Sequence, residues 1–176
     1  SLVLDLQSNG GGVMSAAIEL VNLFLPKDRL IVYTEGVHQD RYSAMSFGGK
    51  KLIDMPLYVL IDEHSASASE IVSGALQDWD RATIVGRRSF GKGLVQSTRP
   101  LPYNGLLKVT TAKYYIPSGR LIQAIDYSHR NEDGSVARTP DSLTNVFKTT
   151  NGREVRDGGG ITPDVTVTFP EGNRLV

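Results

Sequence analysis

The chain has no cysteine, which excludes disulfides, thiol nucleophiles and cysteine-ligated metals. It has no excess of either charge. Its 19 basic and 19 acidic residues cancel, and neither sign forms a run of five or more. Nothing in that balance argues for nucleic acid or an anionic membrane as the main partner. No apolar run approaches the roughly 18 residues needed to span a bilayer, and no charged-then-apolar leader is visible at the start. What remains is 176 residues at 40 % hydrophobic composition, enough for one domain with an ordinary core. Ser1 opens directly onto a strand-like run, so the chain is read as one domain, 1–176, lacking upstream sequence of a longer polypeptide.

Leu2 to Leu6 reads as a buried strand and ends at the breaker cluster Ser8-Asn9-Gly10-Gly11-Gly12. Val13, Ala16, Ala17, Leu20, Val21 and Phe24 then recur at helical spacing, and Pro26 stops them. Leu30 to Thr34 predicts a strand, and the polar stretch from Glu35 to Lys51 receives no element. Pro56 to Asp62 is a continuous apolar run of the kind found in sheets covered on both faces. From Ala68 helical spacing returns through Ile71, Val72, Ala75, Leu76 and Trp79, and Arg81 to Gly86 predicts another strand. Alternating strand and helix argues for an α/β domain. Leu94 to Leu101 and Leu106 to Ile116 flank Pro102-Tyr103-Asn104-Gly105, a hairpin signal. Ser118 to Gly160 reads as a long loop with room for a small hairpin, before a last strand at Val165 to Phe169.

Ser67 starts the second helix within Ser65-Ala66-Ser67-Ala68-Ser69-Glu70. Its spacing to Glu70 fits a capping box, the commoner role for such a serine. A serine there is also placed to attack a carbonyl, with the Ala68 N–H at the helix entrance to stabilise an oxyanion. Lys92 stands in Phe90-Gly91-Lys92-Gly93. From Gly86 on, that segment comes within one residue of the phosphate-binding loop G-x-x-x-x-G-K-[ST], but Gly93 stands where a hydroxyl must hold magnesium, and Pro100 and Pro102 follow instead of a helix. As a general base Lys92 must be neutral, which requires a site that lowers an ordinary lysine pKa of about 10.4. Gly10-Gly11-Gly12 suits a tight turn or the donation of an N–H to an oxyanion. Ser15 stands where a dinucleotide fingerprint needs its third glycine. No motif supports a Ser-His-Asp triad through His38, His64 or His129, and His129, Glu132 and Asp133 lack metal-ligand spacing.

Together these segments resemble the tail-specific, or carboxyl-terminal processing, serine peptidases. The resemblance runs through Leu4-Asp5-Leu6 to Gly11-Gly12, Ser65 to Asp78, Gly86 to Gln96, Thr111-Ala112 with Tyr115 and Pro117 to Arg120, and Gly160 to Asp164. It implies a crotonase- or Clp-like α/β core of mixed sheet with flanking helices and a β-hairpin. It further implies that Ser67 is the nucleophile, Lys92 its base, Gln96 the residue that orients the amine and Asp78 a supporting acid, with Gly12 and Ala68 as oxyanion donors. No cofactor or metal is implied. The implied partners are polypeptides with accessible apolar C-termini, with a homo-oligomer conceivable for the full-length protein. The implied location is the bacterial periplasm or cell envelope, with a PDZ domain upstream. Family members commonly carry arginine, asparagine and proline where this chain has Gln7, Ser8 and Gly10. Two other readings stay open: a non-catalytic peptide- or ligand-binding module of the same fold, and a crotonase-type acyl-thioester enzyme.

Overall fold

Leu57, Val59 and Ile61 alternate with Tyr58 and Leu60 along the central strand, and the first three are almost fully buried. A computed structural model describes residues 1–48, 52, 54–130 and 132–168 of the chain. That central strand, β4 (Leu57–Ile61), pairs in parallel with β1 (Leu2–Asp5) on one side and β5 (Thr83–Gly86) on the other, and β12 (Val165–Thr166) joins β5. Helices α1 (Met14–Asn22) and α2 (Ala68–Asp78) pack against each other and share one buried cluster with Leu57, Val59, Ile61 and Ile84 on one face of this sheet. Their apolar stripes close the core through Ala17, Val21, Ile71, Val72, Ala75 and Leu76. The opposite face, carrying Val3, Tyr58 and Val165, is exposed among the described residues. The continuous apolar run predicted cover on both faces, whereas both helices lie on the same one.

A second sheet is antiparallel, in the order β3 (Gln39–Met45), β2 (Leu30–Gly36), β7 (Leu106–Tyr115), β6 (Leu94–Pro100). The Trp79 indole N–H fastens the end of α2 to it by donating to the Leu30 carbonyl at 2.7 Å. Strand β3 lies where the sequence predicts no element. As an edge strand it buries only Ala44, so it carries no alternating apolar pattern to read. The β6–β7 hairpin forms as predicted, but Tyr103 and Asn104, at φ of 60° and 58°, occupy its left-handed turn positions instead of Asn104 and Gly105.

The long stretch after Ser118 holds two small hairpins, β8 (Ile125–Arg130) with β9 (Val136–Arg138) and β10 (Val146–Lys148) with β11 (Glu154–Arg156). The side chain of His129 and the end of the predicted last strand at Phe169 lie outside the described residues.

Candidate active site

Strand β4 delivers the chain to Ser67 through a tightly bonded turn. Asp62 accepts hydrogen bonds from the backbone N–H groups of Ser8, His64 and Ser65 at 2.9, 3.0 and 3.0 Å, and from the Ser8 hydroxyl at 3.2 Å. Burial raises the Asp62 pKa, and the bonds from Ser8, His64 and Ser65 outweigh it, leaving the carboxyl below the usual aspartate range. The Ser65 hydroxyl donates to the Leu6 carbonyl at 2.7 Å, and the Ala66 N–H donates to the Asn9 carbonyl at 3.0 Å. The glycine loop after β1 and the turn before α2 are thereby stitched together. Ser8, one of the departures from the family pattern, supplies two of those bonds.

Ser67 itself has φ 57° and ψ −117°, a conformation that is sparsely populated for any residue but glycine. An ordinary N-cap residue is extended. The strained turn between strand and helix instead matches the geometry that exposes a nucleophile at a helix entrance. Gly11, at φ 88°, allows the loop to press against it: a Cβ there would lie 2.4 Å from the Ala66 carbonyl oxygen and 2.7 Å from the Ala68 nitrogen.

The sequence reading takes Glu70 as half of a capping box, and its N–H···Oε2 bond from Ser67, 2.8 Å long, fits that role. Its other partners come from far along the chain. Oε2 also accepts from the Lys92 N–H at 2.8 Å, and Oε1 accepts from the Gly91 N–H at 2.6 Å and the Ser89 hydroxyl at 2.5 Å. Glu70 is fully buried. Burial pushes its carboxyl above the usual glutamate range, and the bonds from Ser89, Lys92, Gly91 and Ser67 offset part of that rise. Three of the four contacts are backbone N–H donors, and the fourth, the Ser89 hydroxyl, can donate or accept.

Tyr114, buried on β7, closes the other side. Its hydroxyl reaches the carbonyl oxygen of Lys92 and, at 3.2 Å, that of Ser67. Burial and the Glu70 charge raise its pKa well above that of an ordinary tyrosine, so it remains a donor. Ser67 and Lys92 are thus each held by both their backbone N–H and their backbone carbonyl. Only the long-range partners of Glu70 and Tyr114 reveal this, and nothing in the local sequence signals it.

Five of the residues singled out in the sequence line one cleft of about 310 Å³: Ser67, Lys92, Gln96, Gly12 and Ala68. Met14, Ile71, Val95 and Tyr114 give it apolar walls, and Lys108 adds a second lysine. Gln96 projects from β6 directly after the Lys92 loop, which leads into a strand and not into a phosphate-binding helix. Among the described residues the Ser67 and Lys92 side chains share the cleft without a direct hydrogen bond. The N–H groups of Gly12 and Ala68 have no protein acceptor among the described residues, whereas the Gly11 N–H is taken by Asn9 Oδ1 at 3.0 Å.

Asp78 lies elsewhere. At the far end of α2 it forms a buried ion pair with Arg120 at 2.9 Å, and Arg120 also binds Gln77 Oε1 at 2.7 Å. Burial pushes the Asp78 carboxyl up and the Arg120 guanidinium down, while each charge favours the other. Among the described residues no group of three or more metal-ligating side chains comes together.

Comparison with known proteins bears on what this cleft is. The family model for peptidase family S41 matches residues 1–129. The chain is 53 % identical over 126 residues to a carboxy-terminal-processing protease of Bartonella bacilliformis, covering 70 % of this chain and 28 % of that protein. It is 48 % identical over 115 residues to a carboxyl-terminal-processing protease of Picosynechococcus, covering 65 % of this chain and 27 % of the relative. The chain therefore spans about a quarter of the length of these curated relatives. Among solved structures, a photosystem II D1 C-terminal processing protease aligns at a TM-score of 0.66 and 29 % identity, covering 94 % of this chain and 34 % of that one. A putative S41 protease from Bacteroides fragilis, at 15 % identity and a TM-score of 0.64, shares the fold. With the family model matching well over half its length, the chain belongs to peptidase family S41.

Proposed function

We propose that residues 1–176 form the catalytic domain of a serine endopeptidase that uses a Ser67–Lys92 dyad and processes polypeptides near their C-termini in the bacterial cell envelope. The observation that carries this reading is one cleft holding a strained serine at a helix entrance, a lysine and two N–H groups without a protein acceptor among the described residues.

In this mechanism neutral Lys92 Nζ takes the proton from Ser67 Oγ, and Oγ attacks the scissile carbonyl. The Gly12 and Ala68 N–H groups receive the developing oxyanion, aided by the N-terminus of α2. The ammonium of Lys92 returns its proton to the leaving amine. A water activated by the same amine then hydrolyses the acyl-enzyme. Gln96 orients the amine, and Asp78 contributes through the stability of α2 without touching the substrate.

Strand β6 has a free edge among the described residues, beside the cleft. An extended substrate tail is expected to add there through backbone hydrogen bonds and to place an apolar side chain against Met14, Ile71 and Val95.

The test is cleavage of an unfolded polypeptide with an apolar C-terminus by the full-length protein and by its Ser67→Ala and Lys92→Ala variants. Loss of cleavage in both supports the dyad. Cleavage that survives Lys92→Ala removes the lysine from the mechanism, and no cleavage by any form moves the weight to a binding module of the same fold.

A further inference from the structure

The neutral charge total conceals one segment with a single sign. From Leu94 to Tyr115 the β6–β7 hairpin contains Arg99, Lys108 and Lys113 and no acidic residue. Its tip is also its most apolar part. Tyr103 is fully exposed, Leu106 and Leu107 are 73 % and 46 % exposed, and Leu101 is exposed between Pro100 and Pro102.

Consecutive strand residues point to opposite faces, so Leu106 and Leu107 present apolar surface on both sides of the hairpin. A protein groove covers one side of such a projection, whereas a lipid phase surrounds it. The backbone adds a second observation. Tyr103 is held at φ 60° in the turn, a conformation that glycine or asparagine adopts more readily. Strain of this kind at an exposed tip, with an aromatic ring presented to solvent, points to use of the ring. Tyrosine also suits the boundary between lipid and water.

The cations sit behind the tip. Arg99 faces Leu107 and Lys108 faces Thr98 in the ladder, about 10 Å from the apex at the rise of a strand. That matches the depth of about 5–10 Å to which interfacial segments enter a bilayer. We propose that the β6–β7 hairpin tip docks this protein on an anionic lipid surface, with Tyr103, Leu101, Leu106 and Leu107 in the interface and Arg99 and Lys108 at the phosphate headgroups. The same hairpin carries Gln96 and Lys108 of the cleft, so docking holds the cleft beside the membrane.

The test is co-sedimentation of the full-length protein with vesicles of phosphatidylcholine alone and with an equal part of phosphatidylglycerol. Binding is expected to the anionic vesicles and to weaken with salt. Tyr103→Ser combined with Leu106→Ser should lower it at least about tenfold, and Arg99→Gln about fivefold. Both variants should keep wild-type melting behaviour and wild-type cleavage of a soluble peptide, which separates this test from that of the dyad. Pro102→Cys carrying an environment-sensitive dye should shift only when anionic vesicles are added. Vesicle binding unchanged in these variants overturns the proposal. So does a dye already shielded without lipid, or shielded only by a protein partner or a second copy.

Discussion

Ser67 and Lys92 hang on one oxygen atom: Glu70 Oε2 accepts the backbone N–H of each at 2.8 Å. The Tyr114 hydroxyl, which reaches both carbonyl oxygens, and the Phe90 N–H, which donates to the Ser65 carbonyl, add to the same registration of helix and loop. Burying this carboxylate costs free energy, which its four hydrogen bonds recover only together.

Replacing Glu70 with glutamine would turn an amide donor toward groups that are themselves donors. Glu70→Gln is expected to lower kcat/KM about 100-fold through misplacement of the pair and stability by about 2 kcal/mol. Peptide kinetics together with thermal denaturation measure both. Near-wild-type kinetics would show that the shared oxygen does not position the site.

The conformation of Ser67, at φ 57° and ψ −117°, stores backbone strain. Ser67→Ala and Ser67→Gly should both be inactive, but the glycine variant should be the more stable. Relief of about 1–3 kcal/mol of strain, less about 0.5–1 kcal/mol of extra unfolded-state entropy, leaves roughly 1 kcal/mol. Urea denaturation of the two variants reads the difference directly, and equal midpoints would argue against the strained geometry.

Asp78 should behave as a structural residue. It closes the 11-residue helix α2 at the end opposite Ser67, about 15 Å away along the axis. Asp78→Ala leaves the Arg120 guanidinium buried without its partner and is expected to cost about 3–5 kcal/mol. The folded fraction should still react with a serine-directed phosphonate at the wild-type rate. A variant that melts normally but reacts slowly would place Asp78 in the chemistry instead.

Acid should loosen the turn that seats the serine. Asp62 has a lower pKa in the fold than its ordinary 3.8, so the unfolded chain binds this proton more tightly. Its stabilising contribution is complete above the ordinary value and is lost as pH falls through the folded one. Asp62→Asn should therefore be less stable than wild type at about pH 7 and should lose less on going from about pH 5 to about pH 3. Denaturation midpoints at the three pH values test this, and parallel curves would contradict it.

Much of the scaffold was legible because periodicity reports burial. Ile71, Val72, Ala75 and Leu76 predict α2, and the apolar run around Val59 predicts β4, because these side chains make the core. Strand β3 was not legible, since an edge strand burying one side chain leaves no pattern. The hairpin was readable from its turn residues, yet which of them take positive φ was not, because Asn104 satisfies either register. In the cleft, Ser67 and Lys92 stand in segments that the family resemblance, and not their local motifs alone, singled out. Glu70 could not be assigned its main role, because three of its four partners lie in the Lys92 loop, beyond any local window. Tyr114 was hidden for the same reason.

The most direct measurement is the adduct formed by a serine-reactive phosphonate with the full-length protein, located by peptide mass mapping and timed in wild type, Ser67→Ala and Lys92→Ala. The expected result is a single adduct on Ser67, absent from Ser67→Ala and at least about 100-fold slower to form in folded Lys92→Ala. An adduct on another serine, or one that forms in Lys92→Ala at the wild-type rate, would contradict the dyad.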